Sequence, residues 1–200
     1  MDATTVIILI VSVIISLTIH EFMHAYVGHK LGDTTAFEAG RVSFNPLHHI
    51  DPFATILLPI ITIVIFGVPL LAAKPVPFNP SRLKYDDMGS ALVSAAGPLS
   101  NLVLAFIAAL IAAQLQVGTL GFHAFKIFEE LNVVLFVFNL IPIPPLDGSR
   151  VLYAFAPDAV REFFDRIEPF GIFIVFGLVL YTGASGVLVN IENAVLNLLP

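Results

Sequence analysis

The sequence predicts an all-α polytopic membrane protein, a helical bundle with one broken or re-entrant segment and short extended stretches. Three observations carry that prediction. Hydrophobic residues make up 58% of the chain and charged residues only 12%, with a positive mean hydropathy, which is too apolar for an ordinary soluble domain. Several apolar runs reach the ~20 residues that a helix needs to cross about 30 Å of hydrocarbon. No polar stretch between them is long enough for a folded extramembrane domain, so residues 1–200 read as a single intramembrane domain.

The first predicted helix covers 4–27. Met1-Asp2-Ala3 supplies no basic leader and no small-residue cleavage pattern follows, so this helix is expected to stay rather than to be removed as a signal peptide. Residues 53–72 are apolar enough to span, yet Pro59, Gly67 and Pro69 interrupt them, which predicts a broken helix or re-entrant piece over 53–78. Further helices are predicted over 88–113, 123–141 and 167–189. The proline-containing stretches 40–46 and 74–80 read as extended or turned backbone. Over 158–165, apolar and charged residues alternate at roughly helical spacing, which predicts a short helix on the membrane surface.

Charge and composition exclude several function classes. A formal net charge of −6 leaves no basic surface for nucleic acid, and there is no Gly-rich phosphate loop. With no cysteine, any metal site must draw on His, Asp or Glu. Lys30, Arg41, Lys74, Arg82 and Lys84 are expected on the cytoplasmic side together with Arg150, Arg161 and Arg166, because short cytoplasmic loops carry an excess of Lys and Arg. Residues 114–121 and the N-terminus have no basic side chain, so the first helix is expected to run from outside to inside.

The first apolar helix ends in His20-Glu21-Phe22-Met23-His24. Residues four apart share a helix face, so the two imidazoles can point at one ion while Glu21 projects beside it. This is the zincin spacing, in which the glutamate takes a proton from a metal-bound water. The alternative is a pair of helix histidines bonded to polar neighbours. Three ionisable groups within five residues of a spanning segment weigh against that alternative, since such groups are costly to insert.

Two histidines and a water leave tetrahedral zinc one protein ligand short. Asp147 is the best candidate for the third. It follows the helix predicted over 123–141, in Asn139-Leu140-Ile141-Pro142-Ile143-Pro144-Pro145-Leu146-Asp147-Gly148, where prolines let the backbone bend inward. Spacing alone reads equally well as an aspartate capping the helix that follows.

Taken in order, the motif from His20 to His24, Ala96-Gly97-Pro98-Leu99-Ser100-Asn101, and the motif from Asn139 to Gly148 resemble those of the site-2 proteases. The resemblance covers most of the chain and is closest to a compact prokaryotic type without PDZ or CBS domains. It implies an intramembrane zinc metalloprotease with one zinc ion per chain, held by His20, His24 and Asp147, with Glu21 as the catalytic residue. It further implies that Asn139 lies near the scissile carbonyl and stabilises the oxyanion, whereas the bland reading has Asn139 bonded to a neighbouring helix. Gly97, Asn101 and Ala105 repeat every four residues and read as a close-packing face, with a role for Asn101 in polarising the site as the alternative. His48 and His49 read as interfacial polar residues, with gating or proton donation as the alternative.

Sharing one ion between His24 and Asp147 requires both helices to end at the same membrane side, so one intervening segment must go in and come back, and 53–78 is the candidate. The expected substrate is a transmembrane protein or peptide within the lipid bilayer, unwound before attack. An extended enzyme strand at 40–44 or 73–78 could hold it by edge pairing; the plainer reading is that both stretches only connect helices. The expected location is a prokaryotic cell membrane, multi-pass, with the active site near the cytoplasmic side. Rival readings are a zinc-dependent or proton-coupled transporter and a noncatalytic zinc-containing membrane protein. The lack of paired inverted repeats disfavours the first and an intact Glu21 the second.

Overall fold

The computed structural model describes residues 2–51, 57 and 74–200. Among them the regular structure is helical and there is no strand. The segment expected to be broken or re-entrant, 53–78, lies outside the described residues except at Leu57 and 74–78.

Helix α1 runs over Ala3–Lys30, and Asp2 caps it by accepting the backbone N–H of Thr5 at 2.7 Å. Its two faces are inverted relative to those of a soluble protein. The buried side carries Ser12, Ser16, His20, Glu21, His24, Ala25 and Gly28, whereas Ile7, Ile10, Val11, Ile14 and Ile15 are exposed. Exposed aliphatic and buried polar faces suit an apolar solvent, in which the polar groups must find partners inside the bundle. A short turn, α2 (Thr35–Glu38), follows.

Helix α3 (Asp86–Ala112) is central and packs against α1 and against α4 (Leu120–Asn139). Most of its buried positions are small: Gly89, Ala91, Ala96, Gly97, Ala105, Ala108, Ala109 and Ala112. Without bulky side chains the helix backbones approach closely, which is how helices associate where there is no water to expel. Leu99, Val103, Phe106 and Ile107 of α3 face outward. Both α1 and α3 are long and apolar enough to cross a membrane.

Two backbone hydrogen bonds set the direction of travel. The N–H of Lys84 donates to the carbonyl of Leu31 at 2.8 Å, so the end of α1 and the start of α3 lie together. The N–H of Lys74 donates to the carbonyl of His49 at 3.0 Å, which brings together the two ends of the intervening chain. After α4 the proline-rich turn leads into α5 (Asp147–Phe155) and α6 (Asp158–Ile167). Arg161 of α6 donates to the Asp87 carboxylate at the start of α3 at 2.7 Å. The chain then continues as α7 (Gly171–Ser185) and α8 (Val187–Leu196), divided by Gly186 with a left-handed φ of 68°. Leu188, Val195 and Leu196 of α8 close over Ala105, Val133 and Val137.

Candidate metal centre and active site

The four-residue spacing of His20 and His24 becomes one helix face, and α3 packs directly over it. A Cβ added at Gly97 would stand 2.6 Å from the Nε2 of His20 and nearer still to that of His24. Glycine is therefore the residue that leaves room for both rings. By its spacing Gly97 is only a packing residue; its place in the motif that carries the family resemblance is the one local signal of this role.

Each imidazole is anchored through Nδ1. That of His24 lies 2.7 Å from the carbonyl oxygen of Val93, and that of His20 lies 2.7 Å from Oδ1 of Asn101. A carbonyl only accepts, so Nδ1 carries the proton in each neutral ring and Nε2 keeps its lone pair. The two Nε2 atoms stand 2.9 Å apart, and Oδ2 of Asp147 is 3.2 Å from that of His20 and 3.3 Å from that of His24. All three donor atoms fall within 4.8 Å of one another.

Asp147 reaches this point because α4 ends, the chain turns through the prolines, and α5 starts under the histidines. Leu146, not Asp147, is the N-cap of α5, and the Asp147 carboxylate faces the imidazoles. A Cβ at Gly148 would fall 2.7 Å from the carbonyl oxygen of Ile141 and closer to that of Leu140, so only glycine lets the start of α5 sit against the end of α4.

The donor set tests the fit to zinc. Three electron-pair donors converge, and leaving a buried acceptor unpaired costs about 1–3 kcal/mol. A proton bridges only one pair of the three, whereas one divalent cation satisfies all of them. Zinc bonds of about 2.0–2.2 Å at tetrahedral angles put neighbouring ligand atoms roughly 3.3–3.6 Å apart, and the observed separations of 2.9 to 3.3 Å run from a few tenths of an ångström below that range to its lower end. The residues present fit the ion.

Around this triad is a cavity of about 440 Å³ lined by Glu21, Asn139, Pro75, Val76, Phe78 and Arg150, among others. Glu21 is buried beside His20 and opens onto it. Asn139 lines the same cavity, and its amide nitrogen donates to the Leu135 carbonyl at 2.9 Å, one turn back on its own helix. His48 and His49 are not among its lining; His48 bonds to the Gly40 carbonyl and His49 to that of Ser43, each at 2.8 Å. Burial pushes the His49 imidazole below its ordinary pKa.

Of the two stretches expected to be extended, 74–78 borders the cavity. Arg41 donates to the main-chain carbonyls of Lys74 and Pro75, and the Asp33 carboxylate accepts the N–H of Asn79 at 2.5 Å. Burial lowers the pKa of Arg41, with the nearby charge of Glu21 opposing that effect. By sequence Arg41 marks only the cytoplasmic side, since a contact with Lys74 and Pro75 cannot be read from local pattern.

Residues 118–182 match peptidase family M50. The chain is 42% identical over 187 residues to YwhC of Bacillus subtilis (strain 168), named by inference as a zinc metalloprotease; the match spans 89% of this chain and 81% of that protein. It is 30% identical to Rip2 of Mycolicibacterium smegmatis over 73% of this chain and 56% of the relative. With MJ0611 of Methanocaldococcus jannaschii the identity is 29% over 66% of this chain and 62% of the relative. Both are likewise named by inference as zinc metalloproteases, and the chain spans just over half to three-fifths of their lengths. No solved structure matches the chain at a significant level. A membrane-embedded helical bundle with a His, His, Asp donor set defines a metalloprotease of the intramembrane class. The chain belongs to peptidase family M50, the site-2 protease family of zinc metalloproteases.

Proposed function

We propose that this protein hydrolyses peptide bonds in or near transmembrane segments of other membrane proteins. His20, His24 and Asp147 hold one zinc ion, and Glu21 is the catalytic residue. The observation that carries the reading is the convergence of three lone-pair donors on one point beside Glu21, with each histidine turned by a carbonyl at its far nitrogen. When bound, zinc supplies Lewis acidity, lowering the pKa of a water and polarising the substrate carbonyl.

Every other step belongs to side chains of the cavity. Glu21 accepts the proton of the attacking water and delivers it to the leaving amine, which completes hydrolysis without a covalent enzyme intermediate. Asn139 presents the second hydrogen of its amide, the first being held by Leu135, to the oxygen that gains charge. The 74–78 stretch pairs with an unwound substrate along its edge, with Arg41 and Asp33 holding it at its two ends. Val76 and Phe78 keep their N–H groups, so the prolines at 75 and 77 do not remove every donor.

The enzyme is multi-pass, with the site near the cytoplasmic face. The bond from Lys84 to Leu31 supports a chain that returns to its starting side between α1 and α3. The basic residues Lys30, Arg41, Lys74, Arg82 and Lys84 gather at this end, as a cytoplasmic surface requires.

The experiment compares purified wild type with Glu21→Gln in membrane mimetics, using a single-pass protein as substrate. The variant keeps one zinc per chain by elemental analysis and loses about 10²–10⁴-fold in cleavage rate. Undiminished cleavage would refute Glu21 as the base.

A further inference from the structure

The two histidines are oriented by different kinds of group. Val93 turns His24 with a main-chain carbonyl, which cannot rotate within helix α3. His20 is turned by a side-chain amide, which can. If Asn101 rotated its amide by half a turn it would offer NH₂ to Nδ1, and the ring proton would move to Nε2, the atom aimed at Asp147. Something must hold that amide.

The orientation can be traced back to a fixed group. The amide nitrogen of Asn132, on α4, donates to the main-chain carbonyl of Phe128 at 2.8 Å and to Oγ of Ser16 at 2.9 Å. Since a carbonyl accepts only, the NH₂ of Asn132 must face Phe128, and its Oδ1 must face Asn101. Asn101 accordingly donates from its own nitrogen to that Oδ1 at 2.8 Å, with a longer contact of 3.4 Å to the Ser16 carbonyl. Its remaining oxygen is what meets His20 at 2.7 Å. Ser16, Asn101 and Asn132 each have 0% exposure, so the network is closed to bulk solvent.

We propose that Asn132 is a positioning residue of the metal centre. Acting through Asn101, it sets the proton of His20 on Nδ1 and keeps the Nε2 lone pair for the ion, although it lies on another helix and does not touch the ring. This rests on the reading of His20 as a metal ligand. Partners of ligating histidines typically change metal affinity about 10–100-fold when removed.

Zinc affinity of the purified full chain, measured by competition with a chromogenic chelator, tests the relay. Asn132→Leu and Asn101→Leu each weaken binding by about 10–100-fold. In the Asn101→Leu background, Asn132→Leu has no more than about a twofold further effect, because the amide it orients is gone. Ser16→Ala stays within about threefold of wild type, since Phe128 still orients Asn132. An undiminished effect of Asn132→Leu in both backgrounds, or no effect in either, overturns the proposal. Nitrogen-15 NMR of the metal-free wild type, above the imidazole titration range, keeps the test open should the leucine variants not fold. A proton on Nδ1 of His20 supports the relay and one on Nε2 overturns it. Failure of the wild type to bind zinc, or unchanged affinity in His20→Ala, overturns the metal reading and the relay together. Normal zinc binding with a silent Asn132 overturns the relay alone.

Discussion

The Cβ that Gly97 lacks would occupy the space between its own helix and the Nε2 of His20, 2.6 Å from that atom. In a helix interior, Gly→Ala ordinarily stabilises by up to about 1 kcal/mol. Gly97→Ala is expected to break that rule, displacing both imidazoles and lowering zinc occupancy in parallel with cleavage. Elemental analysis of the purified variant checks this, and full occupancy would contradict the packing of α3 over the histidines.

Asp147→Asn preserves the shape of the side chain and removes its charge. Because this carboxylate closes the triangle with His20 and His24, the expected fall in zinc affinity exceeds the about 10–100-fold typical of an outer partner. Chelator competition measures it, and a change of twofold or less would remove Asp147 from the ligand set.

Asp33 gives a prediction with a definite pH dependence. Burial would raise its carboxyl pKa, but hydrogen bonds from the hydroxyl and N–H of Thr35 and from the N–H of Asn79 hold it below its ordinary value of 3.8. A depressed folded pKa contributes stability above the unfolded value, and that contribution is lost as pH falls through the folded one. Asp33→Asn should therefore destabilise the protein by about 2 kcal/mol near neutrality. The gap between the two melting temperatures should narrow as pH drops below 3.8. A gap that stays constant into acid would show that the charge is not what holds Asn79.

The return of the chain between α1 and α3 can be read by labelling. The sequence has no cysteine, so Asn45→Cys, Lys84→Cys and Thr119→Cys each introduce a single thiol at an exposed position. A membrane-impermeant reagent applied to intact cells should modify position 119 and spare 45 and 84. Modification of 45 but not 84, or the reverse, would defeat the in-and-back path.

Much of the site was legible because its first half is local. A four-residue spacing on one helix makes a shared face of His20, Glu21 and His24 before any tertiary contact forms. Asp147 was harder, since position after a proline-rich turn reads equally as a ligand or a cap. The contacts of Asn101 were harder still: its four-residue spacing from Gly97 signals a packing face, and nothing in that spacing shows that its amide meets His20. Arg41 and Asp33 are ordinary loop residues by sequence, and their hold on 74–79 exists only once the two loops lie side by side.

By itself, the sequence established an apolar solvent, helices long enough to span it and one helix face that carries His20, Glu21 and His24, because composition and i,i+4 geometry are properties of short stretches. Only the tertiary structure decided that Asp147 meets the histidines, that Gly97 makes room for them, and that amides on two other helices turn His20. Those outcomes depend on how closely small-residue surfaces of separate helices approach, a distance that no single segment encodes.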